Sequence, residues 1–243
     1  MLLMPYKEFS MDEAARYLHL NRRELEELVK TGEIPFEKRG GRVVFRRIEL
    51  DGWASKRILG LGGKRLDEYH RKTTRATLEL LKKETIMPEL IKPEYIAPAM
   101  PGKTKASVLQ VLVEIADTTG LVGNPKDLLK SLQEREELCS TGLADGLAVP
   151  HPRCPQEYLF ESSFIIVGRT LQEIPFGAPD GMPSDLFFLT CCQDDRLHLH
   201  TLARICLMAQ KTKMLQRLRE AADADEMHKV ILESEVEALQ ARR

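Results

Sequence analysis

The sequence predicts an α/β protein, a sheet flanked by helices, with a small helical module and a hairpin ahead of it. Short apolar runs of strand length at 164–167 and 186–192 are interleaved with helical stripes through the second half of the chain, the pattern of a layered α/β fold. Before residue 62 the pattern changes to two closely spaced helix signatures followed by a Gly-Gly turn between short extended runs. Between these regions Pro88, Pro93, Pro98 and Pro101 rule out a continuous helix. The predicted division is therefore a first module over 1–62, a partly helical linker over 63–92 and a second module over 93–243.

Ser10 and Glu13 stand three apart ahead of Met11, Ala14, Ala15 and Leu18, a capping box leading into a helical stripe. Asn21 and Glu24 repeat the signature ahead of Leu25, Leu28 and Val29. Two short helices meeting around His19-Leu20 have the proportions of a helix-turn-helix. Extended runs over 34–39 and 42–47 flank Gly40-Gly41, and both glycines accept the positive φ of a type I′ turn. Lys38, Arg39 and Arg42 crowd the tip. A third helix is expected from Ile48, with Trp53 and Ile58 inward. The run 60–64 lacks the GxxxxGK[ST] spacing of a phosphate loop and reads as linker.

The formal net charge of −1 argues against a polyanion partner only until it is divided. Residues 1–72 carry +4 and the remainder −5, and 38–65 alone carries +7. No apolar run approaches the ~18 residues of a membrane span, and the N-terminus lacks the basic and apolar regions of a signal peptide. Five cysteines without paired CxxC spacing fit a reducing cytoplasm and core packing.

Residues 8–58 resemble the excisionase-like, MerR-related winged helix-turn-helix DNA-binding domains. The resemblance rests on the order of elements: helix 10–18, helix 21–29, Gly32-Glu33-Ile34-Pro35, and the basic hairpin followed by Phe45 and Trp53. It implies that the second helix enters a major groove, with Arg22 and Arg23 as readers, while Lys38, Arg39 and Arg42 lie against phosphates. The competing reading is a solvated basic face on a protein-docking module. A segment over 66–86 reads either as a dimerising helix or as a tether.

In the second module Leu109, Leu112, Val113 and Ala116 mark a helix ending before Gly120. Asn124-Pro125 opens the next, with Leu128, Leu129 and Leu132 on one face. Arg135, three beyond Leu132, falls on that inward face, where an arginine needs an anion or a cleft. The loop from Ser140 runs through Gly142 and Gly146 into 147–149 and ends at Pro150-His151. An imidazole at a strand end is a site signature in α/β folds. A helix is expected after Asp194-Asp195, carrying His198-Leu199-His200 in its first turn, where unpaired amides favour an anion. A last helix, capped by Asp223 or Asp225, turns Met227, Val230 and Ile231 inward.

Two histidines, an inward arginine and a helix start suit phosphoryl chemistry, because neutral imidazole is a nucleophile near pH 7. A zinc site from Cys191, Cys192, His198 and His200 is disfavoured, since adjacent strand residues point to opposite faces. His198 and His200 stand about 200° apart around a helix, so one face holds only one of them; His198 is preferred. His19, His70 and His228 receive no role, and no cofactor is expected.

Residues 93–240 closely resemble the enzyme IIA proteins of the fructose, mannitol and nitrogen-regulatory type of the sugar phosphotransferase system. The carrying residues are Arg135-Glu136-Glu137, Ser140-Thr141-Gly142, the run from Gly146 to His151, and 198–203. The resemblance implies a mixed sheet flanked by helices, phosphorylation of His151 by phospho-HPr, His198 as its partner and Arg135 nearby. This chain has Pro152 and Arg153 where the family usually has glycine after the histidine, which stiffens the partner-facing loop. The leading expectation is a cytoplasmic, DNA-binding regulator phosphorylated on His151. Its rivals are a phosphocarrier serving a separate IIB subunit, with the first module only docking, and a DNA-binding protein whose IIA domain no longer accepts phosphate. With no IIB or IIC segment or membrane span in the sequence, sugar transport by the chain alone is not expected.

Overall fold

The computed structural model describes residues 8–63, 65–67, 69, 85–152 and 159–241. Most of the predicted dimerising or tethering segment, together with His70 and Arg153, lies outside the described residues.

The first module opens with β1 (Glu8–Phe9) and α1 (Met11–Tyr17), the latter capped by the reciprocal Ser10 and Glu13 pair. After a turn in which His19 takes a positive φ of 54°, α2 (Arg22–Thr31) starts on the second capping box, Asn21 with Glu24, and stops at left-handed Gly32. β2 (Glu37–Arg39) and β3 (Arg42–Arg46) form the expected hairpin, with Gly40 and Gly41 at φ 55° and 76°. The three strands order as β1-β3-β2. α3 (Arg47–Leu59) follows directly. Its Trp53 is half-buried, with the indole Nε1 donating to the Glu33 carbonyl at 2.5 Å and the Arg57 guanidinium stacked over the ring.

The short α4 (Met87–Leu90) lies at the end of the expected linker, and a 3-10 turn leads from it into β4 (Ile96–Met100) of the second module. β4 was not signalled by the sequence, because Pro98 sits inside it. It is an edge strand whose register shifts between Ala97 and Met100, and both features tolerate a missing N–H. α5 (Lys105–Thr118) and α6 (Pro125–Leu138) pack as a pair before β5 (Leu147–Ala148). Then come β6 (Phe164–Ile174), β7 (Ser184–Cys191), α7 (Asp195–Lys211), α8 (Met214–Glu220) and α9 (Ala224–Gln240).

The sheet runs β4-β6-β7-β5, with β4 parallel to β6, β5 parallel to β7 and β6 antiparallel to β7. It is mixed, as the resemblance implied. Strand alternation divides the core. Phe164, Ile166, Phe187, Leu189 and Cys191 face α5 and α6, while Ile165, Val167, Leu186, Phe188 and the following Cys192 face α7 and α9. The two cysteines thus fall on opposite faces. The second half of the core is continuous with Leu25, Phe45, Leu50 and Ile58 of the first module. The junction is made where α3 packs on α7.

Candidate functional site

Asn124 caps α6 by accepting from the amides of Lys126 and Asp127. The helix phase fixed there buries Leu128, Leu132 and, one turn on, Arg135, which is only 2% exposed. The Arg135 side chain turns to the C-terminal end of its helix, where Nη1 donates to the Cys139 carbonyl at 2.8 Å. Its Nε donates to Nε2 of His151 at 3.0 Å.

His151 follows β5 by way of Val149 and Pro150, and this extension is held on both sides. The Val149 amide donates to the Thr141 carbonyl, and the Thr190 amide to the Pro150 carbonyl, each at 3.0 Å. Nδ1 of His151 lies 2.8 Å from the Val149 carbonyl. A carbonyl only accepts, so the proton resides on Nδ1 and Nε2 presents its lone pair to Arg135. The His198 ring lies beside it, centroids 4.9 Å apart and tilted by 53°. His151 is 1% exposed and His198 5%.

These surroundings keep both imidazoles neutral. Burial, then Arg135, then His198 hold His151 well below the ordinary histidine value, against a smaller upward pull from the Val149 carbonyl. Burial and Arg135 push His198 down to about 3. Burial also lowers Arg135, opposed by the negative field of Glu136 and, more weakly, of Asp51.

The sequence singled out Arg135, His151 and His198, and the fold brings the three together. It separates His200, whose Nε2 lies 3.4 Å from Arg204 on the far side of α7. One expectation is corrected. The first-turn amides of α7 do not await an anion, because Asp194 accepts from Arg196 and Leu197 at 2.8 and 3.0 Å and the His198 amide donates to the Asp194 carbonyl. Positive charge at the site comes from Arg135 instead.

Sequence reasoning named Glu136 and Thr141 only among the residues that carry the resemblance and gave them no role. Buried Glu136 accepts from the Thr141 amide, from the Thr141 hydroxyl at 2.6 Å and from Lys105 Nζ at 2.9 Å, pinning the loop on which His151 depends. Its position beside Arg135 on the inward side of α6 was the available signal. Pro152 is buried next to His151 and has no amide to offer a bound oxygen. Also missed was buried Asp51 of α3, which accepts from the Tyr17 hydroxyl and whose field reaches Arg135.

Arg22, Arg23, Lys38, Arg39 and Arg42 of the first module are exposed. Arg22 is paired with Asp12 and Glu26, and Arg39 with Glu8 and Glu37. Lys38 and Arg42 at the hairpin tip form no ion pair among the described residues. Arg23 lines an open groove along α2 with Asn21, Glu24, Glu27 and Arg57.

The family model described as "Phosphoenolpyruvate-dependent sugar phosphotransferase system, EIIA 2" matches residues 89–234, and a "Helix-turn-helix domain" model matches residues 8–58. A nitrogen regulatory protein from Bradyrhizobium diazoefficiens is 32% identical over 146 residues, 59% of this chain and 92% of that one. Its counterpart from Escherichia coli is 28% identical over 135 residues, 55% and 81% of the two chains. Among solved structures, nitrogen regulatory protein IIA-Ntr from Neisseria meningitidis superposes with a TM-score of 0.55 at 23% identity, covering 60% of this chain and 99% of that one. IIA mannitol from E. coli gives 0.51 at 18%, covering 58% and 98%. The chain belongs to the EIIA type 2 family of the phosphoenolpyruvate-dependent sugar phosphotransferase system, in a form that carries a helix-turn-helix domain ahead of the IIA domain.

Proposed function

We propose that this protein is a cytoplasmic regulator whose His151 accepts a phosphoryl group from phospho-HPr or a homologous carrier, and whose first module binds DNA. The observation that carries the phosphoryl reading is the pairing of His151: Nδ1 tied to the Val149 carbonyl and Nε2 directed at Arg135. In the transfer, Arg135 turns its N–H from Nε2 to an oxygen of the arriving phosphoryl group, and the freed Nε2 lone pair forms an N–P bond as the N–P bond of the donor's phosphohistidine breaks, its electron pair returning to the donor imidazole. Arg135 lies where charge on the transferring oxygens develops, and such reactions depend on positioning and charge stabilisation more than on proton transfer. The proton stays on Nδ1, donated to the Val149 carbonyl, throughout. His198 flanks the same position as a neutral ring able to donate one hydrogen bond.

Incubating the full chain with labelled phospho-HPr and mapping the label tests this reading. Label is expected in the wild type and absent from His151→Ala; wild-type protein without label on His151 overturns it.

The DNA reading is supported by the helix-turn-helix domain and by the exposed Lys38 and Arg42. If both contact phosphates, the double variant Lys38→Gln, Arg42→Gln should lower the slope of log affinity against log salt by about 1.8, roughly 0.9 per contact. Binding that is undetectable at low salt, or an unchanged slope, rejects the hairpin as a phosphate contact.

A further inference from the structure

We propose that Glu136 is a positioning residue for the phosphoryl acceptor: it draws the Thr141 amide away from the Val149 carbonyl, leaves that carbonyl to the Nδ1 proton of His151, and so makes Nε2 the accepting nitrogen. The inference rests on reading His151 as the acceptor and concerns what decides between its two ring nitrogens.

A neutral imidazole carries its proton on either nitrogen, and only the other one has a lone pair to offer. In His151 the choice falls to the Val149 carbonyl, 2.8 Å from Nδ1. That carbonyl has a second natural partner. Residues 141–143 run antiparallel beside β5, with Gly142 opposite Ala148. The Leu143 amide donates to the Leu147 carbonyl at 2.7 Å and the Val149 amide to the Thr141 carbonyl at 3.0 Å. In this register Thr141 and Val149 are a pair of the kind that exchanges two backbone bonds. Only the bond from Val149 to Thr141 is made. The returning bond is replaced, because the Thr141 amide donates to the two carboxylate oxygens of Glu136 at 3.2 and 3.1 Å.

The carboxylate is equipped to win that amide. A charged acceptor binds an N–H more strongly than a neutral carbonyl does. The fully buried Thr141 adds its hydroxyl at 2.6 Å, and Lys105 Nζ supplies the balancing charge at 2.9 Å. The loop is also anchored independently of Glu136. Ser140 Oγ donates to the Phe176 carbonyl at 2.7 Å and accepts from the Gly142 amide at 3.0 Å, while Gly142 packs so closely that a Cβ there would lie 3.0 Å from the Ala178 nitrogen. Thr141 therefore stays beside Val149 when Glu136 is replaced, and its amide is then free to complete the pair in competition with Nδ1. Arg135 and Glu136, consecutive on α6, hold the imidazole from both ends: Arg135 at Nε2 directly, Glu136 at Nδ1 through Thr141 and Val149.

The test uses the full chain and two independent readouts. One is the tautomer of His151 in the unphosphorylated protein, from the 15N shifts of its ring nitrogens, assigned by their loss in His151→Ala. The other is the steady-state rate of labelling by phospho-HPr. Wild type is expected to carry the proton on Nδ1. Glu136→Gln should move a measurable fraction of it to Nε2 and lower kcat about fivefold or more, the weight of one hydrogen bond, with KM for the donor little changed. Thr141→Val, which keeps the side-chain shape and removes the hydroxyl, should shift both readouts in the same direction by less, and Thr141→Ser should restore them. Should Glu136→Gln fail to fold, the Thr141 pair carries the test. A wild-type tautomer in the variants, whether or not labelling slows, overturns the positioning role while the acceptor reading stands. A shifted tautomer with no label on His151 in any chain, wild type included, keeps the control of the ring by Glu136 and removes the acceptor reading.

Discussion

Arg135 holds His151, the proposed nucleophile, and supplies the positive charge at the candidate site, and both proposed roles follow from one Nε to Nε2 contact. Replacing it by glutamine should lower phosphoryl labelling of His151 by about 100-fold or more, the usual loss when a preorganised charge-stabilising donor is removed. Labelling within tenfold of wild type would assign the charge stabilisation elsewhere. A second residue-scale consequence concerns pH. His151 is held well below its ordinary value and His198 near 3, whereas the unfolded chain binds protons on both below about 6.5. Their contribution to stability is therefore complete above about pH 6.5 and falls as pH drops, by about 1.4 kcal/mol per unit for each ring. Urea unfolding at about pH 7.5 and about pH 5 should show His198→Gln losing roughly 2 kcal/mol less over that interval than wild type. Equal losses would show that His198 protonates within the fold. Arg135, His151 and His198 were legible in the sequence because each is an anomaly in its setting: an arginine on an apolar face, an imidazole after a strand, a histidine at a helix start. Glu136 and Thr141 carried the resemblance but received no role, because a charged helix residue and a loop threonine acquire one only when the fold brings them to 2.6 Å.

Elements with local signals formed where the sequence put them. Both capping boxes, the Gly40-Gly41 hairpin and the Asn124 and Asp223 caps are present, because each is decided within four or five residues. Elements that depend on distant partners were missed or shortened. β4 exists because β6 pairs with it in spite of Pro98. β6 continues to Ile174, well past its apolar run. There Arg169 spends its donors on the carbonyls of Pro98, Leu218, Arg219 and Ala221, clasping the edge strand to the end of α8, a role no local pattern announces. The element scale also separates stability from activity. Asn124→Ala should cost about 1 kcal/mol through the lost cap and leave His151 labelling unchanged, since the site lies at the opposite end of α6. Chemical denaturation and labelling on the same preparation check both halves, and a loss of labelling at full folding would mean that α6 shifts along its axis.

At the scale of the molecule, the apolar interior runs without a break from the helix-turn-helix module into the IIA domain. The intact chain is thus expected to unfold in a single transition by calorimetry, with van't Hoff and calorimetric enthalpies in agreement. Two resolved transitions would mean that the modules are energetically independent. The docking was not legible in the sequence. Splitting the net charge treats the modules as strangers, and Asp51, an acid within a stretch of +7, was counted as a reduction of that charge rather than as a contact. Burial of His151 also bears on timing. If His151 is the acceptor, uptake of phosphate equals the intrinsic rate multiplied by the fraction of molecules in which the site is open, so an open fraction of about 1% slows it about 100-fold. In a cell where several carriers draw on one donor, such a protein stands at the back of the queue. With His151 as the acceptor, it would fill only after carriers with more exposed histidines, and so report surplus in the phosphate supply rather than its mere presence.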